Sequence, residues 1–237
     1  GLAGCFSELR ALIFDEADQL LEMGFRPAVL EILEHLKPSA PTRQTLLFSA
    51  TLPKDVLKVA QFATRDAQLV DTVGEEESQT NAHVEQTYTL TALPAQAAEL
   101  AALLQTLTRS PPYKIVVFFV TARLTQLYCE AFGQIGTRVL EMHSRRSQAA
   151  RSRVADEFRD GDNLIMFSSD VSARGMDYPD VTAVIQVGMP SSKEQYIHRL
   201  GRTGRAGKAG GGYLLLTHDE APFLKLISDL PAARRPR

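Results

Sequence analysis

The chain has 237 residues, 44% of them hydrophobic and 23% charged, which suffices to bury a core in one large or two small domains and argues against disorder. No apolar run approaches the roughly eighteen residues that suggest a membrane span, and no targeting peptide is recognisable. Cys5 and Cys129 lack the spacing of a disulfide framework or a zinc site. We therefore expect reduced thiols in an intracellular protein whose compartment the sequence does not specify.

The net charge of −2 conceals an asymmetry between the two parts of the chain. Residues 1–85 hold 7 Lys and Arg against 14 Asp and Glu, a balance of −7, whereas residues 86–237 hold 19 against 14, a balance of +5. Such an asymmetry points to a polyanionic partner for the basic part, with ordinary scatter of charge as the alternative.

Apolar runs rich in β-forming residues alternate with helical patterns along most of the chain. Strands are predicted at residues 9–14, 44–49, 68–73, 84–90, 115–120, 138–142, 164–168, 183–187 and 212–217. Helices are predicted near residues 27–36, 53–63, 94–108, 121–133, 147–160, 191–203 and 219–229, with Ser147 as an N-cap. Most of these strands are continuous Val, Ile, Leu and Phe stretches, as expected of parallel strands buried on both faces. The alternation predicts an α/β fold with right-handed crossovers.

The acidic, polar segment 74–81 has no hydrophobic periodicity and marks a linker, which we place at residues 74–85. Residues 86–230 then supply a complete α/β domain. Residues 1–73 supply only three predicted strands, too few for an independent doubly wound sheet. Residues 231–237 are predicted to be a short, disordered basic tail.

An acidic sequence, Asp15-Glu16-Ala17-Asp18, follows the first predicted strand. Ligands of open α/β sheets bind outside the carboxyl ends of strands, where acidic pairs hold Mg²⁺ on a nucleotide and position water for attack on the γ-phosphate. The alternative is a helix start whose acidic residues are favoured by the helix dipole. Position alone does not decide between them.

Hydroxyl side chains follow the second predicted strand, in Ser49-Ala50-Thr51. Hydroxyls at a strand end can bridge a carboxylate to a neighbouring group. Taken alone, the segment is better explained as a cap for the helix that begins near Pro53.

Residues 169–177, Ser-Asp-Val-Ser-Ala-Arg-Gly-Met-Asp, follow a third apolar strand. Arg174 and Gly175 could approach a phosphate closely, and Asp177 could accept a ribose hydroxyl. A structural turn with a surface ion pair is the alternative.

Residues 196–205, Tyr-Ile-His-Arg-Leu-Gly-Arg-Thr-Gly-Arg, place His198, Arg202 and Arg205 on one face if they form a continuous helix. Guanidinium groups that converge beside a nucleotide stabilise the charge of a phosphoryl-transfer transition state. The alternative is a solvated basic face, which the neighbouring apolar residues and glycines disfavour. Gly204 can end the helix before Arg205.

Residues 143–153 form a basic segment after another strand, in which Gln148 and Arg151 lie about one helical turn apart. Contact with a phosphate backbone and a solvated basic helix are both consistent with this pattern.

Taken together and in this order, the segments resemble the motifs of the DEAD-box RNA helicases of superfamily 2. The matching segments span residues 12–208 and are 15–18, 49–51, 116–121, 143–151, 169–177 and 198–205. The resemblance implies RecA-like parallel sheets flanked by helices, with one partial and one complete domain. It also implies that the partner is RNA, bound without sequence specificity, and that no membrane is involved. The implied cofactors are ATP and Mg²⁺.

The resemblance implies a role for each matching residue. Asp15 would bind Mg²⁺ through water, Glu16 would orient the attacking water, and Arg202 and Arg205 would bind the nucleotide as arginine fingers. Asp177 would contact the ribose. Coupling between the domains would fall to Asp18, Ser49, Thr51 and His198, and RNA contact to Gln148, Arg151, Ser169, Arg174 and Gly175.

The phosphate-binding P-loop has no match in the chain. The nearest approach, which ends at Gly207-Lys208, has arginine in place of the first glycine and alanine in place of the final hydroxyl residue. The resemblance therefore implies that the P-loop would precede residue 1, and we expect the 237-residue polypeptide by itself to be inactive as an ATPase. The alternatives are a non-catalytic RNA-binding or scaffold protein and a DNA-directed helicase of the same superfamily.

Overall fold

Parallel strand pairing organises both parts of the chain in the computed structural model, which describes residues 6–22, 25–39, 41–49, 54–70, 84–170 and 178–235. The residue contacts divide the chain into two units, Gly1–Gly74 and Glu75–Arg237. No helix in these described segments is both long and apolar enough to cross a membrane.

The first unit contains a parallel pair of strands, β1 (Ala11–Phe14) and β2 (Gln44–Leu47). Ala11 lies opposite Gln44, and Phe14 lies opposite Leu47. The described helices are α1 (Ala17–Glu22), α2 (Arg26–His35) and α3 (Lys54–Ala63), with a short 3-10 helix at Lys37–Ser39.

A small apolar core joins the helices of the first unit. Val29 and Leu33 of α2 lie one turn apart and pack with Val59 and Ala63 of α3, which have the same spacing. Phe14 of β1 is among the partly buried residues that pack against this cluster. The apolar periodicity of the two helices therefore explains their packing.

The strand predicted at residues 68–73 is wrong where the structure describes it. Residues 68–70 have no strand conformation, and Leu69 and Val70 are 72% and 77% exposed. Residues 71–73 lie outside the described residues. Apolar composition favours a strand only where a neighbouring strand supplies the hydrogen bonds.

The second unit is built on a seven-stranded sheet in which every neighbouring pair is parallel. The strands in spatial order are β5 (Leu140–Met142), β6 (Leu164–Ser168), β4 (Lys114–Phe119), β7 (Ala183–Val187), β8 (Gly210–Thr217), β3 (Val84–Thr91) and β9 (Ala232–Arg234). β3 begins at Val84, so the last two residues of the predicted linker belong to a strand. Residues 74–83 lie outside the described part of the chain.

Helices connect the strands of this sheet. The described α-helices are α4 (Gln96–Leu107), α5 (Ala122–Gln134), α6 (Gln148–Asp160) and α7 (Lys193–Leu200). The described 3-10 helices are Leu93–Ala95, Arg205–Gly207 and His218–Lys225. The hydroxyls of Thr121, Ser147 and Ser192 accept main-chain N–H groups at the starts of α5, α6 and α7. The predicted N-cap at Ser147 is thus confirmed.

Both faces of the sheet are buried along β4. Val117 and Phe119 pack in a cluster with residues of α4 and α5, whereas Val116 and Phe118 pack in a second cluster with residues of α6. All four side chains are fully buried. The predicted fold class, parallel sheets flanked by helices, is confirmed.

Two predicted helices differ from the structure. The helix predicted at 191–203 ends at Leu200, because the chain turns at Gly201 and Gly204 adopts a left-handed conformation with φ of 69°. The helix predicted at 219–229 is a 3-10 helix at His218–Lys225, with Pro222 inside it. Proline lacks the N–H that an α-helix would use at this position.

The C-terminal tail predicted to be disordered contains an ordered strand. Gln86 of β3 lies opposite Ala232 of β9, and Arg235 N donates to Tyr88 O at 2.8 Å. Ala232 also packs against the core of the second unit. The outer edge of β3 would otherwise present unpaired main-chain groups, which explains why a short basic segment is recruited as a strand.

We predict that removing residues 231–237 lowers the free energy of unfolding of the second unit by about 1–3 kcal/mol, because several main-chain hydrogen bonds to β3 are lost. Urea unfolding of the full chain and of the truncated chain measures the difference. Replacing Arg234 and Arg235 with alanine keeps the main-chain ladder and serves as the control. If the truncated chain and the double alanine variant lose the same free energy of unfolding, the arginine side chains stabilise this edge and the main-chain pairing does not.

Candidate functional site

An acidic turn leaves the carboxyl end of β1. Asp15 is exposed, and its Oδ1 accepts the main-chain N–H of Glu16 at 2.9 Å. Glu16 has a φ of 48°, a left-handed conformation that is uncommon for residues other than glycine. Ala17 N donates to Phe48 O at 3.0 Å, which holds the turn against the end of β2. The sequence motif therefore occupies a fixed, tightly bent position at the strand ends.

A direct hydrogen bond joins this turn to the segment after β2. Asp18 is fully buried, and its main-chain N–H donates to Ser49 Oγ at 3.1 Å. The hydroxyl of Ser49 thus accepts a first-turn N–H of α1, as a helix cap does. Two of the residues predicted to couple domains, Asp18 and Ser49, are in contact.

Three predicted RNA-contacting residues lie on neighbouring loops of the second unit. Ser169 follows β6, and its N–H donates to Met142 O at the end of β5 at 3.0 Å. Gln148 and Arg151 lie in the first turns of α6, which follows β5. Gln148 is exposed, whereas Arg151 is partly buried and its Nε has no hydrogen-bond partner among the described residues. The carboxyl ends of two adjacent strands therefore bring these residues to one edge of the sheet.

Glu141 organises the basic loop after β5. His143 is buried, its Nδ1 accepts the N–H of Arg145 at 3.2 Å, and its Nε2 therefore donates to Glu141 Oε1 at 2.6 Å. The other oxygen of Glu141 pairs with Arg146 Nη1 at 3.2 Å. The charge of Arg146 is thus partly compensated inside the protein.

Burial and the nearby Glu141 carboxylate raise the pKa of Cys129 to about 12. At neutral pH the side chain is therefore a thiol, the form that is unreactive as a nucleophile.

The predicted arginine-bearing face does not form one helical surface. His198 lies in α7, whereas Arg202 follows the helix and Arg205 begins a 3-10 helix beyond Gly204. His198 and Arg202 are each only 8% exposed, and Arg205 is partly exposed. Arg202 Nε donates to His198 O at 3.4 Å, and Arg205 Nε donates to Gly201 O at 2.9 Å. The main chain of one turn therefore fixes the two guanidinium groups.

This turn is anchored to the sheet. Thr203 is buried, and its hydroxyl donates to the carbonyl oxygen of Val181. A Cβ at Gly210 of β8 would lie 2.3 Å from Thr203 Oγ1 and 2.8 Å from Gly204 N. Glycine is required at position 210 because the turn approaches the strand too closely for any side chain.

Sequence reasoning missed an ion pair beside this turn, in which the arginine is buried and the aspartate is partly exposed. Arg199 is fully buried, and its Nε donates to Asp170 Oδ1 at 2.7 Å, while Gln195 Nε2 donates to Asp170 Oδ2 at 3.1 Å. The available signal was the spacing of Gln195 and Arg199, which lie four residues apart and so share one face of α7. The spacing does not identify Asp170, which lies 25 residues before Gln195, as the partner of that face.

Four of the predicted site residues lie outside the described residues, namely Thr51, Arg174, Gly175 and Asp177. In the described segments, no group of three or more His, Cys, Asp or Glu side chains could hold a metal ion.

We predict that Arg199→Ala lowers the free energy of unfolding by about 1.5–3 kcal/mol, because it removes a charge-assisted hydrogen bond to the partly exposed Asp170. Thermal or urea unfolding of the chain measures the change. Arg153→Ala, which removes an exposed arginine of α6, is the control and should change stability by less than about 0.5 kcal/mol. Equal stability of the two variants would show that the pair contributes nothing to folding.

Two family models match the chain. The DEAD/DEAH box helicase model matches residues 2–59, and the model of the helicase conserved C-terminal domain matches residues 98–207. The first covers the acidic turn and Ser49, and the second covers the loops after β5 and β6 and the arginine-bearing turn.

Relatives and solved structures extend these matches over nearly the whole chain. DEAD-box ATP-dependent RNA helicase 26 of Oryza sativa subsp. japonica is 44% identical over 236 residues, which is 99% of this chain and 44% of the relative. Helicase 31 of the same plant is 46% identical over 98% of this chain and 42% of its own length. The chain therefore spans less than half the length of these relatives.

The solved structure of Mss116p bound to ssRNA and AMP-PNP is 30% identical, with a TM-score of 0.86. The match covers 98% of this chain and 49% of that chain. The family models, the relatives and this structure agree across both units. They show that the chain belongs to the DEAD-box RNA helicase family.

Proposed function

We propose that the chain acts within an ATP-dependent RNA helicase that couples RNA-stimulated ATP hydrolysis to RNA clamping and local duplex unwinding. The observation that carries the proposal is the hydrogen bond from Asp18 to Ser49, which joins two helicase motifs at the carboxyl ends of parallel strands. Ligands of parallel α/β sheets bind at such ends. The names of the plant relatives and the nucleotide and RNA bound to Mss116p support the same activity.

The acidic turn after β1 is suited to the nucleotide. The bond from Glu16 N to Asp15 Oδ1 orients an exposed carboxylate, the kind of ligand by which proteins hold Mg²⁺ together with substrate phosphates. We assign Asp15 to Mg²⁺ through water; Mg²⁺ neutralises charge on the phosphates when it is bound. Glu16 orients the water that attacks the γ-phosphate, and its bent main chain fixes the direction of its side chain.

The turn after α7 supplies positive charge. We assign Arg202 and Arg205 as arginine fingers that bind the nucleotide and stabilise the transition state, because the main chain holds both guanidinium groups in place. A fixed charge needs little reorganisation during the reaction. Asp177 is assigned to the ribose from its position in the motif.

Two further sets of residues complete the proposal. Asp18, Ser49, Thr51 and His198 couple the nucleotide site to RNA binding between the two helicase domains. Gln148, Arg151, Ser169, Arg174 and Gly175 contact the RNA backbone, or support the loops that contact it. Such contacts recognise phosphate and 2′-hydroxyl groups and carry no sequence preference.

A non-catalytic RNA-binding or scaffold protein is the second candidate, because the chain contains no P-loop sequence. The test fuses a P-loop-containing helicase segment before residue 1 and measures ATP hydrolysis. The helicase candidate predicts hydrolysis by this fusion protein, and the scaffold candidate predicts none. A DNA-directed helicase is disfavoured by the relatives, whose names specify RNA. Replacing RNA with DNA in the same assay tests that candidate, because a DNA-directed helicase would hydrolyse ATP faster with DNA than with RNA.

In this fusion protein, Arg205→Ala should lower RNA-stimulated phosphate release at saturating ATP by about 10³-fold or more, since arginine fingers contribute about 10³–10⁵ in rate. Glu16→Gln should also stop hydrolysis but retain ATP-dependent RNA clamping, because the amide cannot orient or deprotonate the water. Arg138→Ala, which changes an exposed arginine outside the assigned sites, is the control and should hydrolyse ATP at the wild-type rate. Arg199 is unsuitable as a control because it is buried.

An Arg205→Ala enzyme that keeps more than about a tenth of the wild-type rate contradicts the finger assignment. Hydrolysis by the Glu16→Gln enzyme would contradict the role of Glu16 in the same way. A wild-type fusion that binds RNA but never hydrolyses ATP would favour the scaffold candidate.

RNA binding by the 237-residue chain should be weak and dependent on salt. Arg151→Ala should reduce the slope of log affinity against log salt concentration by about 0.7, the value for one phosphate contact on a single strand. Fluorescence anisotropy with mixed-sequence single-stranded RNA over a range of salt concentrations measures this slope. Arg138→Ala is the matched control, because Arg138 precedes β5 and pairs with Glu157 at 2.8 Å. Equal slopes for the two variants would remove Arg151 from the RNA site.

A further inference from the structure

The ion pair Asp170–Arg199 connects the two loops that the proposed function uses in the second unit. Asp170 directly follows Ser169, which we assign to RNA. Arg199 directly follows His198 and lies one turn before Arg202, which we assign to the nucleotide. One hydrogen bond of 2.7 Å therefore joins the RNA loop to the helix that leads into the nucleotide turn.

The contact is built to hold one geometry. The side chain of Arg199 is 1% exposed and that of Asp170 is 31% exposed. Both carboxylate oxygens of Asp170 accept hydrogen bonds from α7: Oδ1 accepts from Arg199, and Oδ2 accepts from Gln195. The guanidinium group of Arg199 also lies 5.5 Å from the ring centroid of Phe118, a fully buried residue of β4.

Stability alone is a weak reason for such a pair. Burial of the Arg199 charge costs desolvation free energy that its attraction to a partly exposed carboxylate often fails to recover, so apolar residues would anchor a helix at least as well. The helix already has other polar attachments to the sheet. Tyr196 donates its hydroxyl to Gln86 of β3 at 3.0 Å, and its carbonyl accepts Gln186 Nε2 of β7 at 3.1 Å. The pair adds a connection to the loop after β6, which those contacts lack.

We propose that Asp170 and Arg199 are positioning residues that transmit RNA binding at the Ser169 loop to the arginine-bearing turn at residues 201–205. This inference rests on the proposed function and names a regulatory contact inside the same site. A phosphate that binds beside Ser169 restrains the adjacent Asp170. Through Arg199 and Gln195 that restraint reaches α7, which is continuous with the turn that carries Arg202 and Arg205.

The test measures hydrogen–deuterium exchange of the 237-residue chain with and without a saturating single-stranded oligouridylate. In the wild type, RNA should slow exchange both in residues 144–170 and in residues 193–205. Asp170→Asn should keep the slowing in 144–170 and lose it in 193–205. The expected difference in 193–205 is about tenfold in exchange rate, within the range typical of coupled sites.

Two further variants separate coupling from stability. Tyr196→Phe removes a buried hydrogen bond of the same helix but leaves Asp170 in contact, so RNA should still slow exchange in 193–205. Arg199→Lys keeps the positive charge but lacks the Nε–H that Asp170 accepts, so it should lose most of that effect. The lysine variant also serves if Asp170→Asn fails to fold.

Each outcome decides between the proposals. Equal slowing of 193–205 in the wild type, Asp170→Asn and Arg199→Lys overturns the coupling and leaves the RNA site intact. Loss of the effect in Tyr196→Phe shows that general weakening of α7 explains it, which also overturns the coupling. RNA that binds the wild type without slowing exchange in 144–170 overturns the assigned RNA site, and the coupling with it.

Discussion

Burial of the central strands on both faces is the constraint on which the second unit depends. The side chains of residues 115–119 in β4 all face a packed apolar cluster, which leaves no place for ligand chemistry along this part of the strand. The residues assigned to RNA follow the carboxyl ends of β5 and β6, whereas the arginine-bearing turn packs beside the amino ends of β7 and β8. The ion pair between Asp170 and Arg199 links the loop after β6 to α7, which leads into that turn, although the two residues are 29 positions apart in the sequence.

Hydrogen bonds between side chains and the main chain give these loops their shape. Asp15 accepts from the next residue, Ser49 accepts from α1, and Thr203 donates to a carbonyl outside its own turn. Side chains with charge then extend from a backbone whose conformation is already determined. This arrangement suits a site that must present charge before its ligands bind, because reorganisation would lower the benefit of that charge.

The sequence predicted the parts of the fold that depend on local pattern. Continuous apolar runs located β4, β6 and β7, and Ser147 located the start of α6, because burial and capping leave a signature in a few residues. The parts that failed depend on distant neighbours. β9 forms because β3 has an open edge, and α7 ends early because Gly204 takes a left-handed conformation against β8. Arg199 and Asp170 are 29 residues apart in the sequence, so no local pattern revealed that they pair.

The contact between Asp18 and Ser49 has a consequence for how the motif tolerates change. The donor at position 18 is the main-chain N–H, which every residue except proline possesses. The serine side chain is therefore necessary for this bond, whereas the aspartate side chain is irrelevant to it. A requirement for a carboxylate at position 18 would therefore arise from an interaction of the buried carboxylate itself. One hydrogen bond thus depends on the side chain of one motif and on the main chain of the other.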